Sequence, residues 1–193
     1  MAELKQEKLS KRKKEWFEIL ASKEFKEISI GETLCFNTEN LIGRTLYVNL
    51  ASLTNDARMQ NVNVRLVVNE VKNKKACTKL EGYEVLPAFI RRVVKLGKDR
   101  ADDSFIYKTK DNIDVVMKPL LITKNKVKHS VLSNLRLTAR DFLEKYVVKI
   151  DYDELVFDLI NYKLQKELKS NLKRVYPLDV AEIRIMELVK KSS

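Results

Sequence analysis

The stretch that most constrains the fold runs from Gly43 to Val85. It begins GRTLYVNLASLTND, continues VNVRLVVNEVKNKKACTKL, and is rich in β-branched and aromatic residues. Val62, Val64, Leu66 and Val68 fall on one side of an extended chain, while Asn63, Arg65 and Asn69 fall on the other. A period of two is the mark of a strand with one face in a core and one in water. The polar break at Asn73, Lys74 and Lys75 lets the chain fold back through Cys77–Leu80 as a hairpin. An antiparallel sheet is therefore expected at the centre of the molecule.

The flanking segments extend that sheet and add helices. Glu27–Phe36 reads as one or two short strands around Gly31, and Gly43–Leu50 as the next. Pro87 opens a short helix, PAFIRRVVKLG, because its fixed φ suits a first turn where its missing donor is not needed. Gly97 stops it, with Phe89, Val93 and Leu96 expected to face the core. A second hairpin pairs Ser104–Lys110 with Ile113–Lys124 across Asp111–Asn112, residues that tolerate the positive φ of a tight primed turn. Pro119 cannot donate, so its strand is either at an edge or bulged. From Ser130, a candidate cap, to Tyr146 the period becomes helical, with Leu132, Leu135, Ala139, Phe142, Leu143 and Tyr146 in one stripe. Asp151 and Glu154 resemble a capping pair for a helix through about Leu172, in which Val156, Ile160, Leu164, Leu168 and Leu172 recur every fourth residue. Val180–Val189 returns as a last strand. The expected class is α+β: an antiparallel, barrel-like β-sheet with two C-terminal helices and one shorter helix packed to one side. A mobile basic arm, 1–14, precedes a single domain, 15–193.

Little in the chain looks like reaction chemistry. With 193 residues it can bury about 70% of its unfolded surface, enough to hold a core without disulfide or metal. Cys35 and Cys77 lack C-x-x-C spacing and are expected as small buried hydrophobes in a reducing compartment. The charged N-terminus, Glu3 to Glu15, has no signal-peptide core, and no apolar stretch approaches the roughly 20 residues that span a bilayer. A cytoplasmic protein without a membrane partner is expected. The lone histidine, His129, has no acidic partner arguable from spacing and reads as solvated or phosphate-facing. Gly31, Gly43, Gly82 and Gly97 form no nucleotide cradle. Asp151, Asp153 and Glu154 lack the glycine and final glutamate of a calcium loop, and sit where a helix N-terminus favours negative charge. No catalytic residue, metal, cofactor or small-molecule substrate is expected.

Positive charge is what remains. Charged residues make up 34% of the chain, above the usual level of about 25%, and 38 Lys and Arg against 27 Asp and Glu give +11. Such an excess favours a polyanionic partner. It clusters in the arm (Lys5, Lys8, Lys11, Arg12, Lys13, Lys14), which is expected to be mobile until an anion orders it. Trp16, Phe17, Ile19 and Leu20 are expected to anchor that arm by packing rather than by stacking on bases. Lys72, Lys74, Lys75 and Lys79 form an acid-free run, as do Lys124, Lys126, Lys128, Arg136 and Arg140. Arg91, Arg92, Lys95, Lys98 and Arg100 face only Asp99. No RNP1 motif, KH loop or zinc finger is present, so readout would be of backbone and shape.

Four segments in order carry a resemblance. KKEWFEIL at Lys13–Leu20, GRTLYVNLASLTND at Gly43–Asp56, YKTKDNIDVVM at Tyr107–Met117 and YPLDVAEIRI at Tyr176–Ile185 are similar to motifs of one family. The chain resembles the archaeal and eukaryotic small-subunit ribosomal proteins called S-three-a-e, or eukaryotic-type S-one. It departs from the pattern at Ser52, where the family usually has Asp, and at Asn112, where it has a turn Gly. Ile185 and Glu187 stand where basic residues are common. Without the long tail of eukaryotic members, the sequence is expected to be of archaeal type.

The resemblance implies a non-catalytic role on the platform of the small subunit, near the 3′ end of its rRNA and the mRNA exit. Its implied partners are small-subunit rRNA and neighbouring platform proteins, with mRNA near the exit a further candidate. Residue by residue, it carries over Lys13, Lys14, Arg44, Lys108, Lys124 and Arg184 as rRNA contacts, and Trp16, Gly43 and Pro177 as structural markers. With the charge clusters, the full expected set adds Lys11, Arg12, Lys72, Lys74, Lys75, Lys126, Lys128, His129, Arg136 and Arg140. The alternative is a free-standing RNA-binding or assembly factor that visits the subunit transiently.

Overall fold

The computed structural model describes residues 13–189. Most of the expected basic arm, including Lys11 and Arg12, lies outside the described residues. The chain divides into two compact units: residues up to Gln60 with Val64–Glu81, and Asn61–Asn63 with Gly82 onward.

The first unit is built from β1 (Glu15–Leu20), β2 (Ser29–Cys35), β3 (Thr45–Asn49), most of β4 (Val62–Lys72) and the first part of β5 (Lys75–Val85). Its strands follow the open order β2-β1-β5-β4-β3. The alternation in β4 is real: Val62, Val64, Leu66 and Val68 are all buried. The β4–β5 hairpin closes on Asn73 and Lys74, both left-handed at φ 49° and 62°. That is the signature of a two-residue type I′ turn, whose twist matches the flanking strands. Phe17, Ile19, Cys35, Leu41, Val68 and Ala76 make one core cluster. Gly43, at φ +83°, turns the chain so that its N–H reaches the Val68 carbonyl at 2.9 Å. After β3 the chain becomes helical as α1 (Leu50–Thr54), because Asn49 Oδ1 caps the Ala51 N–H at 2.9 Å. Three expectations need correction here. The sheet is not wholly antiparallel, since β1 runs parallel to β5 over Glu18–Leu20 and Lys75–Cys77. Cys77 is only half-buried, whereas Cys35 is buried. Trp16 is no anchor: it is 58% exposed, and Phe17 and Ile19 do the anchoring from the opposite face of β1.

The second unit has the end of β5, then β6 (Arg100–Asp102), β7 (Phe105–Lys108), β8 (Asp114–Thr123) and β9 (Leu178–Leu188). Residues 82–84 of β5 pair with β9, β9 with β8, and β8 with β6 and β7. Among the described residues, nine strands and five helices make an α+β fold whose strand path ends in free edges, so the expected barrel-like closure is not seen. Pro119 sits in the interior strand β8, and the structure resolves its ambiguity as a bulge. Lys118 faces Ile185 and Pro119 faces Ile183, which leaves Arg184 as the extra residue. The β7–β8 turn is longer than expected, running Thr109–Ile113 with Asn112 at φ 58°.

The helices are α2 (Pro87–Val93), α3 (His129–Val147), α4 (Tyr152–Ile160) and α5 (Lys163–Leu172). Leu96 lies beyond α2 and is fully exposed, contrary to expectation. Helix α3 starts one residue before the expected cap Ser130, with Lys128 at the N-cap position. Asp151 makes no capping bond at α4; instead the Asp111 carboxylate, reaching from the β7–β8 turn, accepts the Tyr152 N–H at 3.1 Å. The expected single helix 151–172 is broken at Tyr162, which takes φ 57°. Geometry gives the reason. At 3.6 residues per turn, a four-residue repeat drifts roughly 40° per step, so five repeats cannot hold one face of a straight helix. The break resets the phase, and Val156, Ile160, Leu164, Leu168 and Leu172 are all buried. Asp158, buried beside the break, accepts from Tyr146 Oη at 2.6 Å and from Lys163 Nζ at 3.2 Å, tying α3, α4 and α5 together.

Two buried polar groups set measurable properties of this unit. Thr123, 1% exposed at the end of β8, accepts the Asp99 N–H at 2.9 Å, while the carbonyls of Asn125 (2.7 Å) and Asp99 (3.1 Å) share its one hydroxyl hydrogen. Thr123→Val should leave buried backbone groups unpaired and cost about 1–3 kcal/mol in urea unfolding. Faster amide exchange over residues 124–128 should accompany the loss. Glu182 on β9 has an oxygen, Oε2, that is buried without a hydrogen bond among the described residues. Burial pushes its carboxyl from the ordinary 4.5 up to about 7, against a lowering by Lys169. An acid whose folded pKa is raised holds its proton in the folded state while the unfolded chain has lost it. Stability therefore falls as pH rises from about 4.5 to about 7, by something on the order of 3 kcal/mol when complete. Glu182→Gln should unfold at the same urea midpoint as wild type at pH 4 and at a higher one at pH 8.

Candidate nucleic-acid interface

The strongest basic feature begins where β8 ends. Lys124 donates its N–H to the Pro177 carbonyl at 3.2 Å, and the Asp99 carboxylate accepts the Val127 N–H at 2.7 Å. With Thr123 these bonds fix the backbone of the Lys-Asn-Lys-Val-Lys loop. Lys124, Lys126 and Lys128 are exposed, and none of the three pairs with a carboxylate among the described residues. The loop runs directly into the 19-residue helix α3, whose first turn has no acidic residue and whose N-cap makes no side-chain bond. A helix start ordinarily carries Ser, Thr, Asp or Asn and favours negative charge. Here cations stand at the positive end of the helix, an arrangement that a bound anion would relieve.

The exposed face of α3 continues the feature. His129, Ser133, Arg136 and Arg140 follow at helical spacing, with Ser133 Oγ 3.4 Å from His129 Nδ1. Arg136 is engaged by Asp103, with Nε 2.9 Å from both carboxylate oxygens. Arg140 holds its guanidinium 5.9 Å from the Phe105 ring centroid. Lys108, at the end of β7, is exposed without a described partner. Arg184, at the bulge of β9, lies 3.7 Å from the Asp102 carboxylate, which also pairs with Arg100.

In the first unit the expected basic residues are largely compensated. Lys72 pairs with Glu70, Lys74 with Glu15 at 3.0 Å, and Lys75 with Glu18 at 3.7 Å. The run that looked acid-free in sequence thus meets acids brought by β1 and by its own strand. Arg44 spends its guanidinium on Thr33 Oγ1 (2.9 Å) and the Asn40 carbonyl (3.1 Å), pinning β2 to the turn before β3. Lys13 and Lys14 are exposed, and the Lys14 ammonium lies 5.2 Å from the Phe36 ring centroid. Sequence reasoning did not single out Phe36 or Leu34. The signal available was the parity of β1 and β2, which sends Trp16, Leu34 and Phe36 outward together.

Among the described residues no group of three or more His, Cys, Asp or Glu gathers as a metal site, and no helix is long and apolar enough to cross a membrane. The arrangement offers cations on a fixed backbone, which suits the binding of a polyanion.

The profile of the Ribosomal S3Ae family matches residues 3–192. A small ribosomal subunit protein eS1 of Nanoarchaeum equitans is 32% identical over 166 residues, 86% of this chain and 84% of the relative. The protein of the same name from Methanobrevibacter smithii is 31% identical over 172 residues, 89% of each chain. That of Methanothrix thermoacetophila is 30% identical over 190 residues, 98% of this chain and 90% of the relative. With the family profile covering nearly its whole length, this chain belongs to the Ribosomal S3Ae family.

Proposed function

We propose that this chain is a structural constituent of the small ribosomal subunit in the cytoplasm, a binder of rRNA rather than an enzyme. The observation that carries the reading is the fixed, exposed lysine loop 124–128 feeding an acid-free helix start. The printed names of its archaeal relatives support it. Lys108, Lys124, Lys126, Lys128, His129 and Arg140 are the groups best placed to meet phosphates directly, joined by Lys13 and Lys14. Lys72, Lys74, Lys75, Arg136 and Arg184 serve as a second tier, held by Glu70, Glu15, Glu18, Asp103 and Asp102 until RNA arrives. The three lysine pairs are exposed, and such pairs are worth only about 0–1 kcal/mol, so a row of phosphates displaces them at little cost. A position on the platform near the 3′ end of the rRNA and the mRNA exit, beside neighbouring platform proteins, follows from the family resemblance.

In cell extract fractionated at moderate salt, the chain should sediment with small subunits at about one copy each. A small substoichiometric fraction would instead favour a visiting factor, and absence from those fractions would refute the assignment. In vitro, engagement of around eight phosphates predicts a log–log salt slope of roughly −6 to −7. Replacing Lys124, Lys126 and Lys128 together by Ala should flatten that slope by about 2–3, whereas Arg44→Ala should change stability more than slope.

A further inference from the structure

One face of the first unit carries apolar side chains that its core does not use. Strands β1 and β2 run antiparallel with Glu15 opposite Cys35 and Trp16 opposite Leu34. By alternation, Phe17, Ile19 and Cys35 point inward and are buried, while Lys14, Trp16, Leu34 and Phe36 share the outer face. There Trp16 is 58% exposed, Phe36 43% and Leu34 39%. Two aromatic rings and a leucine side by side in water mark a contact surface rather than scattered exposure. Lys14 sits over the Phe36 ring, and its neighbour in sequence, Lys13, is exposed. The nearby acids are otherwise committed, Glu15 to Lys74 and Glu18 to Lys75. Glu32, paired in register with Glu18, bounds the patch at its far end.

We propose that Trp16 and Phe36 stack against unpaired bases of a single-stranded RNA segment whose phosphates are met by Lys13 and Lys14. Charge decides for RNA over a protein partner. An apolar protein surface packed on the rings would strip water from the Lys14 ammonium without replacing it, whereas a stacked nucleotide brings a phosphate to it. Stacking is tolerant of base identity, so this surface would favour unpaired over paired RNA without reading sequence. The inference rests on the rRNA-binding reading above but concerns a different surface, distinct from the lysine loop.

Trp16 is the only tryptophan in the chain, so its emission reports this face alone. The full chain is titrated, at low salt, with a dye-labelled oligouridine of about ten nucleotides and with a labelled RNA duplex of the same length. Dye anisotropy reports binding, and tryptophan emission reports stacking. The expected result is that the single strand quenches Trp16 over the same concentration range in which anisotropy rises, while the duplex binds without quenching. Trp16→Ala and Phe36→Ala should each weaken single-strand binding at least fivefold and leave duplex binding unchanged, and Trp16→Phe should retain most of it. Circular dichroism of each variant confirms that it is folded. Single-strand binding without quenching, or equal losses for both RNAs, would overturn stacking while leaving the RNA-binding reading intact. Failure to bind either RNA would overturn that reading itself. A folded Trp16→Ala chain that binds both RNAs normally yet loses a neighbouring subunit protein would assign the face to protein and likewise overturn the proposal.

Discussion

Val115 to Thr123 of β8 lie against Leu188 back to Leu178 of β9, and the second unit is arranged around that ladder. In the first half of β8 only alternate residues are buried; from Pro119 to Thr123 every residue is. The change coincides with the bulge between Lys118 and Pro119, which lets a residue without an N–H sit inside a sheet. A second irregularity falls between Ile122 and Thr123, where the strand hands over to the lysine loop. The loop is therefore held by the end of a well-buried strand. Its cations project from a backbone already fixed by Thr123, Asp99 and Pro177. Preorganisation of this kind reduces the ordering entropy that binding RNA would otherwise cost.

Charge is organised differently in the two units. In the second, the lysines at 124, 126 and 128 stand away from carboxylates, and the adjacent helix start adds its own positive potential. In the first, the hairpin lysines are balanced by Glu15, Glu18 and Glu70, and what stays open is a face of aromatic and aliphatic side chains beside Lys13 and Lys14. What stays open among the described residues thus differs between the units: unpaired lysines in one, and apolar side chains beside two lysines in the other.

Much of the fold was legible because its signals are local. The alternation of Val62, Val64, Leu66 and Val68, the turn at Asn73 and Lys74, the helix opened by Pro87 and the stripe through Leu135, Ala139 and Leu143 all appear where the sequence placed them. Misreadings cluster where two local rules conflict. The four-residue leucine repeat looked like one helix, but its drift demanded the break at Tyr162. Ser130 looked like a cap, but the helix began one residue earlier at His129, and the acid that receives the first N–H of α4 comes from Asp111, far away in the chain.

By itself, the sequence determined the α+β class, the order of most strands and helices, the basic excess and the family resemblance, since each is written in neighbouring residues or in composition. Only the tertiary structure decided which cations are balanced, which way Trp16 faces, and that the strand path stays open. Those outcomes depend on pairs such as Lys74 with Glu15, or β1 with β5, whose members are distant in the chain. A period of two says that alternate side chains part, but not which side the core will take until the neighbouring strand is in place.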